Sequence, residues 1–141
     1  MFFGWLKRTP PAAPDRHQTG LWGEEQAERM LRSKGYRILG RRVRVGRRDE
    51  IDLVVRDGQV LVFVEVKTRA TEDFGTPMAS VDRGKRRALS RAAVRYMKKL
   101  RARPVYFRFD VVEVVGAKGD EAPAVRHTER AFALDSRYRF P

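Results

Sequence analysis

The stretch Glu50-Ile51-Asp52-Leu53-Val54-Val55-Arg56-Asp57-Gly58-Gln59-Val60-Leu61-Val62-Phe63-Val64-Glu65-Val66-Lys67-Thr68-Arg69 decides the fold. Two apolar, β-branched runs, Glu50 to Arg56 and Gln59 to Arg69, flank Asp57-Gly58. Such a pair between such runs is a strong short-range hairpin signal, because glycine accepts the positive φ of a tight two-residue turn. With Asp57 and Gly58 as the turn, Arg56 pairs with Gln59, Val54 with Leu61, Asp52 with Phe63 and Glu50 with Glu65. Residues opposite one another share a face, as do residues two apart along a strand. Asp52, Glu65 and Lys67 then lie on one side of the sheet with Glu50 nearby, on the condition that no odd-length loop or bulge shifts the register.

Outward from the hairpin, Tyr36 to Val45 alternates basic and aliphatic residues and predicts a strand with one wet face. Upstream, Gly20 to Lys34 has apolar residues at helical spacing, with Thr19 as its cap and Gly35 as its stop. Thr9 to Gln18 holds Pro10, Pro11 and Pro14 and predicts a flexible leader, so residues 1–18 are expected to precede one domain at 19–141. Downstream, Thr71 to Pro77 reads as a loop. Asp82 then caps a helix to about Arg101 whose apolar face is Ala88, Leu89, Ala92, Tyr96 and Leu100. A last strand spans Tyr106 to Val115, Gly116 to Pro123 reads as a mobile loop, and Ala131-Phe132 in the tail docks on the core. The order α-β-β-β-α-β predicts an α/β fold with a mixed central sheet flanked by helices.

A length of 141 residues suits one core, and a net charge of +13 favours a polyanionic partner, above all nucleic acid. A basic, arginine-rich proteome would produce the same charge without any such partner. With no cysteine in the chain, disulfides, thiolate nucleophiles and cysteine-containing zinc sites are excluded. The start, Met1-Phe2-Phe3-Gly4-Trp5-Leu6-Lys7-Arg8, falls short of a signal peptide or membrane helix, so a cytoplasmic protein with no membrane partner is expected.

In Phe63-Val64-Glu65-Val66-Lys67 a carboxylate and an ammonium interrupt a strand otherwise suited to a core. Burying them costs on the order of several kcal/mol unless they are paired or bind an ion. Two converging carboxylates repel one another, and a hard divalent cation, Mg²⁺ or Mn²⁺, relieves that repulsion while keeping waters for a reaction. Lys67 beside them can orient a water or stabilise charge on a phosphate. The competing reading is an ion pair between Lys67 and Asp52 or Glu65 on a solvated face. It is the better one for any single residue, and the metal site is the better one for the combination.

Asp52 followed by Glu65-Val66-Lys67 on the next strand resembles the PD-(D/E)xK nuclease signature shared by many restriction enzymes and archaeal Holliday junction resolvases. A longer string is similar to the YraN family of uncharacterised bacterial proteins. It comprises Gly23-Glu24 and Ala27, Glu50-Ile51-Asp52-Leu53, Phe63-Val64-Glu65-Val66-Lys67-Thr68-Arg69, Phe74-Gly75, Lys85, Arg108-Phe109-Asp110-Val111 and Ala131-Phe132. The resemblance spans about Thr19 to Leu134. It implies a restriction-endonuclease-like core and a catalytic site of Glu24, Asp52, Glu65 and Lys67, with Asp52 and Glu65 as metal ligands and Glu24 supplied by the first helix. The chain departs from the usual pattern at Asp49, where a glycine commonly precedes Glu-Ile-Asp, and at Arg42, where an asparagine is common.

Without the resemblance, Glu24 and Glu25 read as acids in a first helical turn, favoured by the helix dipole. Lys85, Arg86, Arg87, Arg91, Arg95, Lys98 and Lys99 on the second helix suit either a phosphate backbone or plain solvation, and Lys85 stands out because it belongs to the string. Arg69, just past the strand, is a candidate phosphate contact. His17 and His127 fall in leader and tail and receive no role. Trp22, Phe74 and Tyr96 read as packing residues, although Phe74 on its loop also suits base stacking. Three functions remain open: metal-dependent hydrolysis of DNA or RNA phosphodiesters, nucleic-acid binding without cleavage, and a scaffold for another protein. A homodimer is compatible with each.

Overall fold

The computed structural model describes residues 16–70 and 81–141. In chain order the elements are α1 (Arg16–Ser33), β1 (Arg37–Val45), β2 (Asp49–Asp57), β3 (Val60–Arg69), α2 (Arg83–Lys98), β4 (Tyr106–Val115) and β5 (Ala124–Phe132). The five strands form one sheet in sequential order β1-β2-β3-β4-β5. Only β3 and β4 are parallel, and the other neighbours run antiparallel. A parallel pair cannot be joined by a tight turn, and α2 lies on the crossover between these two strands. This is the α/β architecture expected from the sequence, a mixed sheet flanked by helices.

Each helix covers one face. Trp22, Ala27 and Leu31 of α1 pack on Leu53, Val55, Val62, Val64, Val112 and Val114. On the opposite face Leu89, Ala92, Ala93 and Met97 of α2 pack on Val54, Leu61, Phe63, Phe109 and Val111. The central strands are therefore buried on both sides, which explains why Val60 to Val66 reads as an almost unbroken aliphatic run. Asp82 caps α2 by accepting a hydrogen bond from the Lys85 N–H at 2.8 Å. Of the face expected for this helix, Leu89 and Ala92 are fully buried, while Ala88, Tyr96 and Leu100 lie at its margin. Among the described residues no helix is long and apolar enough to cross a membrane.

Four expectations change. First, α1 begins at Arg16 rather than after a Thr19 cap, so His17 and Thr19 are helical and Glu24 falls in the third turn. The dipole explanation for Glu24 thereby disappears, since that field fades within the first turn. Gly35 does end the helix, at φ +88°, with the Tyr36 N–H donating to the Leu31 carbonyl at 3.0 Å.

Second, the hairpin turn is Gly58-Gln59, not Asp57-Gly58: Asp57 pairs with Val60, Arg56 with Leu61 and Val54 with Phe63. Gly58 takes φ +58° at the first turn position, and Asp57 stays in the ladder with its carboxylate on Arg108 at 3.1 Å. Each paired residue of β2, Leu53 to Asp57, thus faces a partner two residues further along β3 than expected, which keeps these residues on their assigned faces.

Third, the tail supplies a fifth strand rather than only a docked Ala131-Phe132. Fourth, the leader expected at residues 1–18 overlaps the start of α1, while its residues 1–15, and the loop with Phe74 and Gly75, lie outside the described residues.

Strand β5 is tied to β4 by a polar cluster that the sequence reading left without a role. Asp110 is fully buried and accepts hydrogen bonds from Arg108 at 3.0 Å, from His127 Nε2 at 2.7 Å and from the Arg130 N–H at 3.1 Å. The last of these holds an irregularity where pairing jumps from Phe109–Phe132 to Val111–Thr128, with Arg130 at φ +50°. Arg108 also donates to the Tyr36 hydroxyl at 2.8 Å. His127 is thus a buried structural partner of Asp110.

Gly23 sets the distance between α1 and the sheet. A Cβ at this position would lie 1.9 Å from Thr68 Oγ1 and 3.1 Å from Thr68 Cβ. Gly23→Ala is therefore expected to destabilise the protein by roughly 1–3 kcal/mol through overpacking. Thr68→Ala should recover part of that loss. A double-mutant cycle by urea denaturation measures the coupling, and additive effects would show that α1 does not approach β3 this closely.

Candidate active site

The β2–β3 ladder is recorded from Asp57–Val60 as far as Leu53–Val64. At the next residue the Asp52 carboxylate occupies the position a backbone carbonyl would take, accepting the Val66 N–H at 2.8 Å. Asp52 is thereby fixed by a main-chain donor in a rigid central strand. Beside it opens a cleft of about 510 Å³ lined by Thr19, Gly20 and Glu24 of α1, Asp52 of β2, and Glu65, Val66 and Thr68 of β3.

Glu65 shares the face of Phe63 and Leu61, toward α2, and its side chain is 4% exposed. One carboxylate oxygen, Oε1, lies 3.4 Å from Lys67 Nζ and 3.5 Å from Lys85 Nζ. The other, Oε2, is buried and has no hydrogen-bond partner among the described residues. Burial, then repulsion from Asp52, pushes the Glu65 carboxyl up to about 7 against the pull of Lys85 and Lys67.

Glu24 enters from the opposite face. Its carboxylate pairs with Arg42 Nε at 2.8 Å. Burial raises its pKa, with Asp52 and Glu50 adding to the rise and Arg42 opposing it. Asp52 is therefore the acid that both Glu24 and Glu65 sense, one from each side of the sheet.

The structure thus brings Glu24, Asp52 and Glu65 to one cleft, with Lys67 and Lys85 on Glu65. The route differs from the one expected, since Asp52 reaches Glu65 through the parting of two strands and not across a paired ladder. Arg69 is placed elsewhere: its Nε lies 3.7 Å from Glu113, another buried acid of the sheet. Two residues gain roles that the sequence reading did not assign. Arg42, at φ +45° between the Arg41–Leu53 and Val43–Ile51 pairs, holds Glu24. Asp49 is buried and accepts two hydrogen bonds from Arg91 of α2, at 2.8 and 2.7 Å. The signal in both cases was their departure from the family pattern.

Among the described residues no three His, Cys, Asp or Glu side chains form a ready-made metal cluster. The donors present nevertheless fit a hard divalent cation of the Mg²⁺ type, which keeps several waters and needs only one or two carboxylates. Asp52 and Glu65 would supply those carboxylates, and the unpartnered Glu65 oxygen is the atom that such an ion would satisfy.

The model of a family described as "Uncharacterised protein family UPF0102" matches residues 23–114. That stretch contains Glu24, Asp52, Glu65, Lys67 and Lys85. The chain is similar to a UPF0102 protein of Symbiobacterium thermophilum, 50% identical over 97 residues that cover 69% of this chain and 81% of that protein. A UPF0102 protein of Desulfosudis oleivorans is 45% identical over 103 residues, covering 72% and 81%. One of Chlorobaculum tepidum is 40% identical over 119 residues, covering 82% and 92%.

The raised Glu65 pKa has a consequence for stability. A carboxyl whose pKa rises on folding contributes stability below its unfolded pKa, near 4.5, and loses that contribution as pH rises through about 7. Glu24, raised in the same direction, acts alike. In metal-free buffer Tm should fall by several degrees between pH 5 and pH 8. Glu65→Gln should flatten that dependence, and Mg²⁺ at pH 8 should raise the Tm of the wild type more than that of the variant. Equal pH profiles for the two proteins by calorimetry would remove Glu65 as the titrating group.

Proposed function

The chain belongs to the UPF0102 family, and on that premise we propose that it is a metal-dependent nuclease acting on phosphodiester bonds of nucleic acid. The observation that carries this reading is Glu65: a buried carboxylate with one unsatisfied oxygen, set beside Asp52 and facing two ammonium groups. A protein that needed only stability would place an aliphatic residue there, because burying a poorly paired charge costs on the order of several kcal/mol.

In this reading Asp52 and Glu65 hold Mg²⁺ or Mn²⁺. Such an ion, when bound, supplies Lewis acidity toward a phosphoryl oxygen and acidity to a bound water. The protein's own groups do the rest. The Val66 N–H orients the Asp52 carboxylate, so the ligand arrives without searching rotamers. Lys67, at 30% side-chain exposure, reaches solvent from beside Glu65 and is placed to orient a water and steady negative charge on the phosphate. Lys85 contributes a second cation to the same oxygen of Glu65 and is placed to meet phosphate. Glu24, held by Arg42, closes the far side of the cleft as a proton acceptor or an outer ligand through water.

A second reading is favoured by the net charge of +13 and the acid-free, basic helix α2: the protein binds nucleic acid by its charge and does not cut. The two separate on one experiment. Purified protein is incubated with Mg²⁺ or Mn²⁺ and single-stranded, duplex, flap and four-way DNA and RNA. A nuclease cleaves at least one member of the panel. Asp52→Asn and Glu65→Gln should then reduce the rate to background, and Lys67→Met should lower it by about 10²–10⁴-fold. Binding that needs no metal, without cleavage of any substrate, establishes the second reading. Cleavage that survives both carboxylate substitutions would show that this cleft is not the catalytic one.

A further inference from the structure

The positive charge of the molecule is distributed unevenly between its two faces. On the α1 side acids are interspersed with the cations: the helix carries Glu24, Glu25 and Glu28 beside Arg16, Arg29 and Arg32, Arg32 and Arg41 pair with Glu28, and Arg42 pairs with Glu24. Helix α2, by contrast, reads Arg-Gly-Lys-Arg-Arg-Ala-Leu-Ser-Arg-Ala-Ala-Val-Arg-Tyr-Met-Lys and contains no acid. The exposed turn between β1 and β2, Gly46-Arg47-Arg48, lies against this helix.

Two contacts fix the turn there. Asp49, immediately after it, accepts both bonds of the Arg91 guanidinium, a geometry that is strong and directional. Gly46, at φ +66°, makes room for Arg95, whose guanidinium nitrogen lies 2.5 Å from where a Cβ would stand. Arg48 and Arg95 also lie near enough to Asp49 to add to Arg91 in holding its carboxyl below the usual range. One buried carboxylate therefore gathers three guanidiniums. A small cavity lined by Arg48, Asp49, Glu50, Lys85, Ala88 and Leu89 joins the turn to Lys85, whose ammonium lies 3.5 Å from Glu65.

We infer, resting on the nucleic-acid reading above, that this turn and α2 form the track for one strand of the substrate, with Arg47, Arg48 and Arg95 holding the phosphates leading away from Glu65. The Asp49–Arg91 pair is the positioning element that keeps the turn on the helix. Ten residues of α2 separate Lys85 from Arg95, about 15 Å along the axis at roughly 1.5 Å per residue. At about 3.4 Å per base step this spans some four to five nucleotides. The substrate therefore needs about that much length on one side of the reacting phosphate.

The test is binding in EDTA, where no cleavage occurs, using fluorescein-labelled 20-residue single-stranded and duplex DNA and RNA across a salt series. Arg47→Ala/Arg48→Ala on the turn is compared with Arg32→Ala/Arg41→Ala on the α1 side, which removes the same formal charge. The turn variant should bind about tenfold or more weakly near 0.1 M salt, with a log–log salt slope shallower by about 1–2, while the α1 variant stays close to wild type. Asp49→Asn makes the protein more positive yet should weaken binding by releasing the turn, an effect opposite to that of bulk charge. Circular dichroism establishes that each variant is folded.

Equal losses in the two double variants would overturn the track while leaving nucleic-acid binding intact. So would tighter binding by folded Asp49→Asn. No salt-dependent binding by the wild type to any of the four probes would remove the nucleic-acid reading itself, and the track with it.

Discussion

The hydrogen bond from the Val66 N–H to the Asp52 carboxylate organises everything near the cleft. It sits where β2 and β3 cease to pair, and a parting pair of strands leaves backbone donors that must be satisfied in a buried setting. A side-chain carboxylate in place of the missing carbonyl solves that problem and introduces a negative charge at the sheet's centre. Glu65 on one side and Glu24 on the other both respond to that charge, and the cations Lys67, Lys85 and Arg42 are distributed to balance it. A protonated or amide side chain at residue 52 would keep much of the geometry and lose the field.

Both helices are subordinate to this arrangement. Gly23 lets α1 approach Thr68 closely enough for the neighbouring Glu24 to line the cleft with Asp52. The Asp82 cap begins α2 three residues before Lys85, and this start aims the Lys85 ammonium at Glu65. The β1–β2 turn is fastened to the same helix by Asp49 and Arg91, so the basic loop is tied to the element that carries Lys85 to Glu65.

Much of this was legible in the chain. The apolar runs around Gly58 announced the hairpin, and the charges inside Phe63-Val64-Glu65-Val66-Lys67 pointed to a candidate site, because their burial cost is a property of the residues themselves. The turn was misplaced by one residue, since an Asp-Gly pair carries no information that Asp57 is needed by Arg108, 51 residues later. The displacement happened to preserve the faces, because moving the turn by one residue moves each pairing by two. The start of α1 was obscured by Thr19, a residue that caps helices well but here lies inside one. Strand β5 was hidden because its attachment to β4 includes a buried Asp110–His127 contact between residues that share no local pattern. Asp49 and Arg42 were visible only as departures from a family pattern, and their partners, Arg91 and Glu24, lie 42 and 18 residues away.

The two buried acids on neighbouring strands show what separates structure from function in this sheet. Asp110 is as deeply buried as any of the described residues, and burial pushes its pKa up as it does for Glu65. His127, Arg108 and the Arg130 N–H overcome that push, and Asp110 ends with its carboxyl below the usual range. Glu65 has comparable burial but only ammonium groups at 3.4 and 3.5 Å on one oxygen, nothing on the other, and Asp52 as a repelling neighbour. Similar burial thus goes with pKa shifts of opposite direction, and the difference is the donors each acid receives and the charge beside it. A carboxylate whose bonding capacity is filled from within the chain has no capacity left for a ligand. One left half-filled beside a second carboxylate has bonding capacity that a hydrated divalent ion would fill, which is why the functional proposal rests on the cleft at Glu65 and not on the filled network at Asp110.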